Sequence, residues 1–420
     1  MQSKTKIWVG LGAFVLGTAL QAPVPADGPV RLIAAAHAQE GGEGGEGGEG
    51  GGGAPSGGYA LGSTDAAAFA YDARPQIDSY VEGVHRAYAA AAADAKALRS
   101  AVDGLLAKPN ADTLGAARAA WVNARQSYLE TEAFRFYDGP IEAVEGQINA
   151  WPLNEAAIDG VKGNPKAGLV NDRKTPIDRD TILAANQAAD EADVTTGWHA
   201  IEFLLWGQDF SAWGPGSRPA ADYAPGKAND RRRAYLREAT ALLADDLAAL
   251  EAEWRPDGGA YAKTFRALPQ REAVGRMLNG IAMLAGFEMM SERLAVALDS
   301  GVQEDEHSCF SDTTHQDFVH DLRGIRNVWY ASRGDWQGAG LDALLRGRDP
   351  ALADRIAVLL RQAEAAIDGI DQPFDRAVLQ APADSPARRE AEAAVAALKA
   401  LGAAFADAGA KLGVLVQLQG

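Results

Sequence analysis

The run Gly197-Trp198-His199-Ala200-Ile201-Glu202 sets a histidine and a glutamate three residues apart. On a helix such positions share one face, so His199 and Glu202 can address the same point. A neutral imidazole beside a carboxylate suits iron, zinc or manganese. It equally suits a structural pair in which the glutamate is hydrogen-bonded to the ring. Spacing does not decide between these: with 6 histidines and 57 acidic residues in 420, roughly one such pairing arises by chance. Two ligands are also too few for an ion. A third would come from a distant part of the chain, where Asp312, His307 and His315 are available.

Those three residues belong to a second polar segment, Glu304-Asp305-Glu306-His307-Ser308-Cys309-Phe310-Ser311-Asp312-Thr313-Thr314-His315. Ser311 or Asp312 fits a helix N-cap, and acids near a helix start complement its dipole. Capping accounts for the acids but not for two histidines. The segment reads either as an inter-helix turn or as part of a site. In a third segment Trp121, Arg125, Tyr128 and Glu132 fall on one helical stripe. Its arginine either snorkels or pairs with a carboxylate.

Other chemistries are excluded by what is missing. The chain has no HExxH, GxSxG, P-loop or strand-borne GxGxxG. A lone cysteine, Cys309, rules out an intrachain disulfide, a thiolate zinc cage and covalent haem attachment. The net charge is −17; residues 1–38 carry Lys4, Lys6 and Arg31 against Asp27, so the remainder stands at −19. That balance argues against nucleic acid and anionic lipid as partners.

The elements that must carry these residues are helical. Ala, Leu, Arg and Glu dominate long runs punctuated by Gly and Pro. Tyr80, Val84, Tyr88, Ala91, Ala95, Leu98, Val102 and Leu105 predict one helix, stopped by Lys108-Pro109. Further helices are expected over 112–138, 193–206 and 230–254, with an irregular excursion at 140–180. After the breaker Arg255-Pro256-Asp257-Gly258-Gly259, four more fit 267–299, 313–332, 350–370 and 385–412. The fold class is therefore all-α, two packed four-helix-bundle-like domains over 59–259 and 260–420. The similar texture of 92–108 and 393–411 hints at duplication. Ahead of them, 1–38 reads as a signal peptide with an uncharged Ile7–Leu20 stretch and a cleavage site at Ala36-His37-Ala38. Residues 39–58 form a Gly/Glu-rich tether with nothing to bury.

Four segments in order resemble the imelysin-like family, in its iron-regulated protein A branch, also called peptidase family M75. They are the FRFYDGP ending of the 121–140 segment, Gly146-Gln-Ile-Asn-Ala-Trp-Pro-Leu153, GWHAIEFLLWGQD (197–209) with its GxHxxE motif, and EDEHSCFSDTTH (304–315). The resemblance spans about residues 65–415. It implies a periplasmic or membrane-associated protein of iron acquisition whose two helical bundles meet at a cleft. Carried over, His199 and Glu202 become candidate metal ligands, or the catalytic pair of a metallopeptidase. Arg125, Ser308, Ser311 and Asp312 become their cleft partners. The implied ligand is iron or an iron chelate, and the implied partner an outer-membrane receptor or other iron-uptake component. Zinc fits less well, since Phe203 stands where a zincin has its second histidine. Haem would need a slot, for which Trp198, Phe203 and Trp206 offer rings that serve equally as bundle core.

Overall fold

Apolar residues every three or four positions, with proline in the first turn, make Arg74–Ala107 a single helix, α1. The whole stripe from Tyr80 to Leu105 is buried, as its periodicity predicts. Asn110 and Thr113 then cap each other's backbone N–H groups at 3.0 and 3.2 Å and start α2 (Ala111–Leu129). This helix stops short of the predicted 138. The chain tightens into a 3-10 turn at Glu132–Phe134 and turns sharply through positive φ at Phe136 and Asp138. After an excursion with three short helices (Glu145–Ile148, Glu155–Ile158, Arg179–Ala185) come α3 (Gly197–Trp206) and α4 (Asp230–Glu253). α1 packs on α2 and α4, and α3 lies against both of these. The computed structural model describes residues 66–416 except 212, 228, 379 and 380. The expected signal segment and tether lie outside the described residues.

A second group follows: α5 (Gln270–Met283), α6 (Thr314–Tyr330), α7 (Pro350–Asp368) and α8 (Pro386–Lys411). The predicted 267–299 helix is interrupted at Leu268-Pro269. Ahead of the break, the short helix Ala260–Ala267 packs back on α1, with Phe265 stacked on Tyr80 at 5.1 Å. The first helix group thus takes in residues to 267. Beyond Met283 the axis of α5 runs on through a π-helical stretch, Leu284–Ala295, and a last turn, Val296–Ser300. A π-helix makes i and i+5 neighbours. That is how Glu288 and Arg293 come to bond at 3.0 Å. No periodicity in the sequence announces this. α8 is long and apolar enough to cross a membrane, but its Ala391, Ala394, Leu398, Leu401 and Phe405 face is buried in the second group.

Among the described residues, buried apolar side chains from Ala73 to Val414 make one continuous core. The two groups meet where α6 crosses the end of α2. Gly324 permits that approach, because a Cβ there would stand 2.6 Å from the Glu130 carbonyl oxygen. The crossing is where the chemistry collects.

Candidate functional site

α3 is ten residues long and every one is buried. Its start is pinned on two sides. Thr196 Oγ1 donates to the Gln147 carbonyl at 2.8 Å, and Trp121 Nε1 donates to the Trp198 carbonyl at 3.1 Å. Gly197 turns through φ +77°, and a Cβ would lie 2.2 Å from the Ile148 carbonyl oxygen. Gly197→Ala should therefore lose at least the ~1–2 kcal/mol of a left-handed residue, and more from the backbone clash. Urea unfolding checks this; an unchanged midpoint would mean that the glycine is not required there.

His199 and Glu202 share one face, as the spacing implies. His199 Nδ1 lies 2.9 Å from Glu202 Oε2, and Arg125 Nη2 lies 3.2 Å from His199 Nε2. An arginine only donates, so the ring accepts at Nε2 and donates from Nδ1. The same Nη2 atom is 3.2 Å from Asp317 Oδ2 and lies over the His307 ring, 3.2 Å from Nε2 and 3.3 Å from Nδ1. Its other arm donates to Asn149 Oδ1. Asp317, in the first turn of α6, also meets His307 Nδ1 at 2.7 Å and accepts from Ser308 Oγ at 2.6 Å. Glu202 Oε1 accepts from both the N–H (2.9 Å) and the hydroxyl (2.6 Å) of Ser311. Around the guanidinium stand the rings of Trp121, Tyr128 and Trp198, with centroids 5.8–5.9 Å away. Arg125 is thus the hub of two imidazoles, a carboxylate and an amide, drawn from both helix groups and almost wholly sealed from solvent.

Burial dominates the electrostatics. It holds His199 and His307 well below the usual imidazole range, and the Arg125 charge adds to the effect on both. Burial pushes Glu202 up to about 8, although the Ser311 hydrogen bonds and Arg125 pull the other way. A carboxyl raised when folded contributes stability that is complete below its unfolded value near 4.5. That contribution is lost as pH climbs through about 8. Glu202→Gln removes this titration. Its melting temperature should vary less between pH 4.5 and 8 than that of the wild type, and parallel curves for the two proteins would contradict the assignment.

The structure unites His199, Glu202, Arg125, Ser308 and Ser311 and, of the three third-ligand candidates marked by sequence, brings in His307. It separates two others. Asp312 turns away toward Asp209 and Asp375, and His315 bonds the Ile367 carbonyl at 3.0 Å. Neither Ser311 nor Asp312 caps α6: Thr313 holds the N-cap position without a side-chain cap bond. Asp317 and Asn149 carried no sequence signal beyond lying in or near the quoted segments. Trp198, Phe203 and Trp206 pack on Trp121 and Phe310 as core.

Beneath this hub lies a second buried ion network. Arg293 donates to Glu132 (2.6 Å), Asp321 (2.8 Å) and Glu288 (3.0 Å), and Arg135 adds a 2.7 Å bond to Glu132. Asp317 and Asp321, one turn apart on α6, face Arg125 and Arg293 respectively. Where α6 crosses the end of α2, the contact between the helix groups is therefore a seam of charges set within the continuous apolar core.

Residues 84–405 match the family model described as imelysin, peptidase M75. The chain is similar to iron-regulated protein A of Synechococcus elongatus, with 25% identity over 325 residues covering 74% of this chain and 79% of the relative. Its fold is similar to two crystal structures. One is of a protein described as an iron-regulated protein A precursor from Parabacteroides distasonis, at TM-score 0.61 and 18% identity, covering 79% of this chain and 94% of the other. The second is an imelysin-like protein from Psychrobacter arcticum, at TM-score 0.54 and 17% identity, covering 83% and 98%.

Proposed function

This chain belongs to the imelysin family, and on that premise we propose that it is an exported protein of iron acquisition that binds iron, or a ligand bearing it, at the seam between the helix groups. The observation carrying this reading is the position of Arg125 Nη2. It lies 3.2 Å from His199 Nε2 and Asp317 Oδ2 and 3.2–3.3 Å from both ring nitrogens of His307. Two imidazoles and a carboxylate, with Glu202 behind His199, form a mixed nitrogen and oxygen donor set suited to iron. In the closed form a guanidinium takes the place of the cation. Loading is then an exchange of one positive charge for another, made when the seam parts and Arg125 withdraws.

Export is supported by the charged start, apolar stretch and Ala-x-Ala site of residues 1–38. The binding claim is tested by titrating ferrous and ferric iron into the full chain and its His199→Ala and Glu202→Gln variants. Loss of a ligand at His199 should weaken binding by at least the 10–100-fold typical of outer-shell partners. Equal affinity in all three proteins would overturn the assignment.

One observation favours a second reading, a metal-dependent peptidase using His199 and Glu202. Burial lifts Glu202 to about 8, a range suited to proton transfer near neutrality. Chelator-sensitive cleavage of an unfolded polypeptide, lost in Glu202→Gln, would establish that reading in place of the binder.

A further inference from the structure

The loop between Glu306 and Thr313 serves the histidine site with three of its side chains. His307, Ser308 and Ser311 turn into it, while Glu306 and Asp312 turn elsewhere. Asp312 meets Asp209, from the loop after α3, and Asp375, from the short helix Asp375–Val378. Carboxylate oxygens of these three lie within 4.8 Å of one another. Glu306 borders the same cluster and is fully buried, as is Asp375. Asp209 is the member with donors, accepting from Gln303 Nε2 at 2.6 Å and from the Ser211 N–H at 2.9 Å. Both oxygens of Glu306, Asp312 and Asp375 lack a hydrogen-bond donor. Buried polar atoms are rarely left in that condition, and buried carboxylates least of all.

We propose that Asp209, Asp312 and Asp375, with Glu306 beside them, form a second metal site that takes a hard divalent cation of calcium size. Every donor is an oxygen, which selects against the softer metals that imidazole attracts. Three oxygens within 4.8 Å of one another can all reach one ion at metal–oxygen distances of about 2.3–2.6 Å. The Asp312 oxygens are buried, but Asp209 and the rest of Asp312 are partly exposed, so the ion enters on that side, whereas the histidine site is closed. A cation there also anchors Asp312, next to the Ser311 that holds Glu202, so its occupancy braces one wall of the histidine site. The ligands are distinct from those proposed for iron, and the inference stands without that reading.

The test uses the full chain stripped with EDTA and titrated with calcium chloride, followed by calorimetry and melting. Uptake of one calcium per chain with a rise in melting temperature is expected of the wild type. Asp375→Asn removes one of the repelling charges. In EDTA it should melt at or above the wild-type temperature, and in calcium below it, a crossover that a purely structural aspartate does not produce. Asp312→Asn, with its folding checked by circular dichroism and melting in EDTA, should lose at least tenfold in calcium affinity. His199→Ala should keep the full calcium response, which separates the two sites. No calcium uptake by the wild type at millimolar concentration, or unchanged uptake in both aspartate variants, would overturn the proposal.

Discussion

Replacing Arg293 by methionine is expected to destabilise the folded chain by about 3–5 kcal/mol, the usual cost of removing one partner from a buried ion network. The guanidinium is fully buried and binds three carboxylates at 2.6–3.0 Å. Without it Glu132 retains Arg135, while Glu288 and Asp321 lose the cation that faces them. The deficit should depend on pH. Burial raises Glu132, but Arg135 and Arg293 more than offset it and hold the carboxyl far below its ordinary value. A carboxyl depressed in this way contributes stability present above its unfolded value near 4.5 and lost as pH falls through its folded value. Removing Arg293 lets Glu132 rise toward its ordinary value, so the gap between wild type and variant should widen from pH 3 to pH 6. Urea unfolding at both values checks this. A gap below about 1 kcal/mol that ignores pH would show that the network is solvated rather than buried.

The second large effect has the opposite sign for binding. Arg125→Ala should bind iron more tightly than the wild type, by on the order of tenfold or more, because the competing internal cation is gone and no closed form need be displaced. The same variant should be less stable when iron-free, since Asp317 loses its ion-pair partner in a buried setting. Iron should then raise its melting temperature more than it raises that of the wild type. Arg125→Lys keeps a positive charge near the same point and should restore the weaker affinity. If Arg125→Ala abolishes iron binding, the arginine is a recognition group for the ligand, and its role as a stand-in cation is excluded.

The helices were legible because their signals are local. Three- and four-residue steps mark the stripe from Tyr80 to Leu105, and Gly or Pro marks most ends. The π-helical stretch at Leu284–Ala295 has no such mark, since its composition suits an ordinary helix, and it places Glu288 and Arg293 in the seam. Within the site, His199 and Glu202 were legible as one turn of helix, and the 304–315 segment stood out by polarity. Which of its side chains turn inward was not legible. His307 and Ser311 face the site while Asp312 and His315 do not, and that division depends on how the loop crosses α3, a tertiary matter. Asp317 looked like an ordinary first-turn acid of α6, and only the packing of that helix on α2 reveals its partner Arg125. Asp209 and Asp375 lie 166 residues apart, and nothing in the chain's local pattern links them.

The most direct test of the binding site is the iron K-edge absorption spectrum of the full chain loaded with one equivalent of iron. Iron at the seam should show the outer scattering of coordinated imidazole, weakened in His199→Ala and again in His307→Ala, with Asp312→Asn leaving the spectrum unchanged. A shell of oxygen alone, indifferent to both histidine substitutions, would contradict the account and move the iron out of the GxHxxE site.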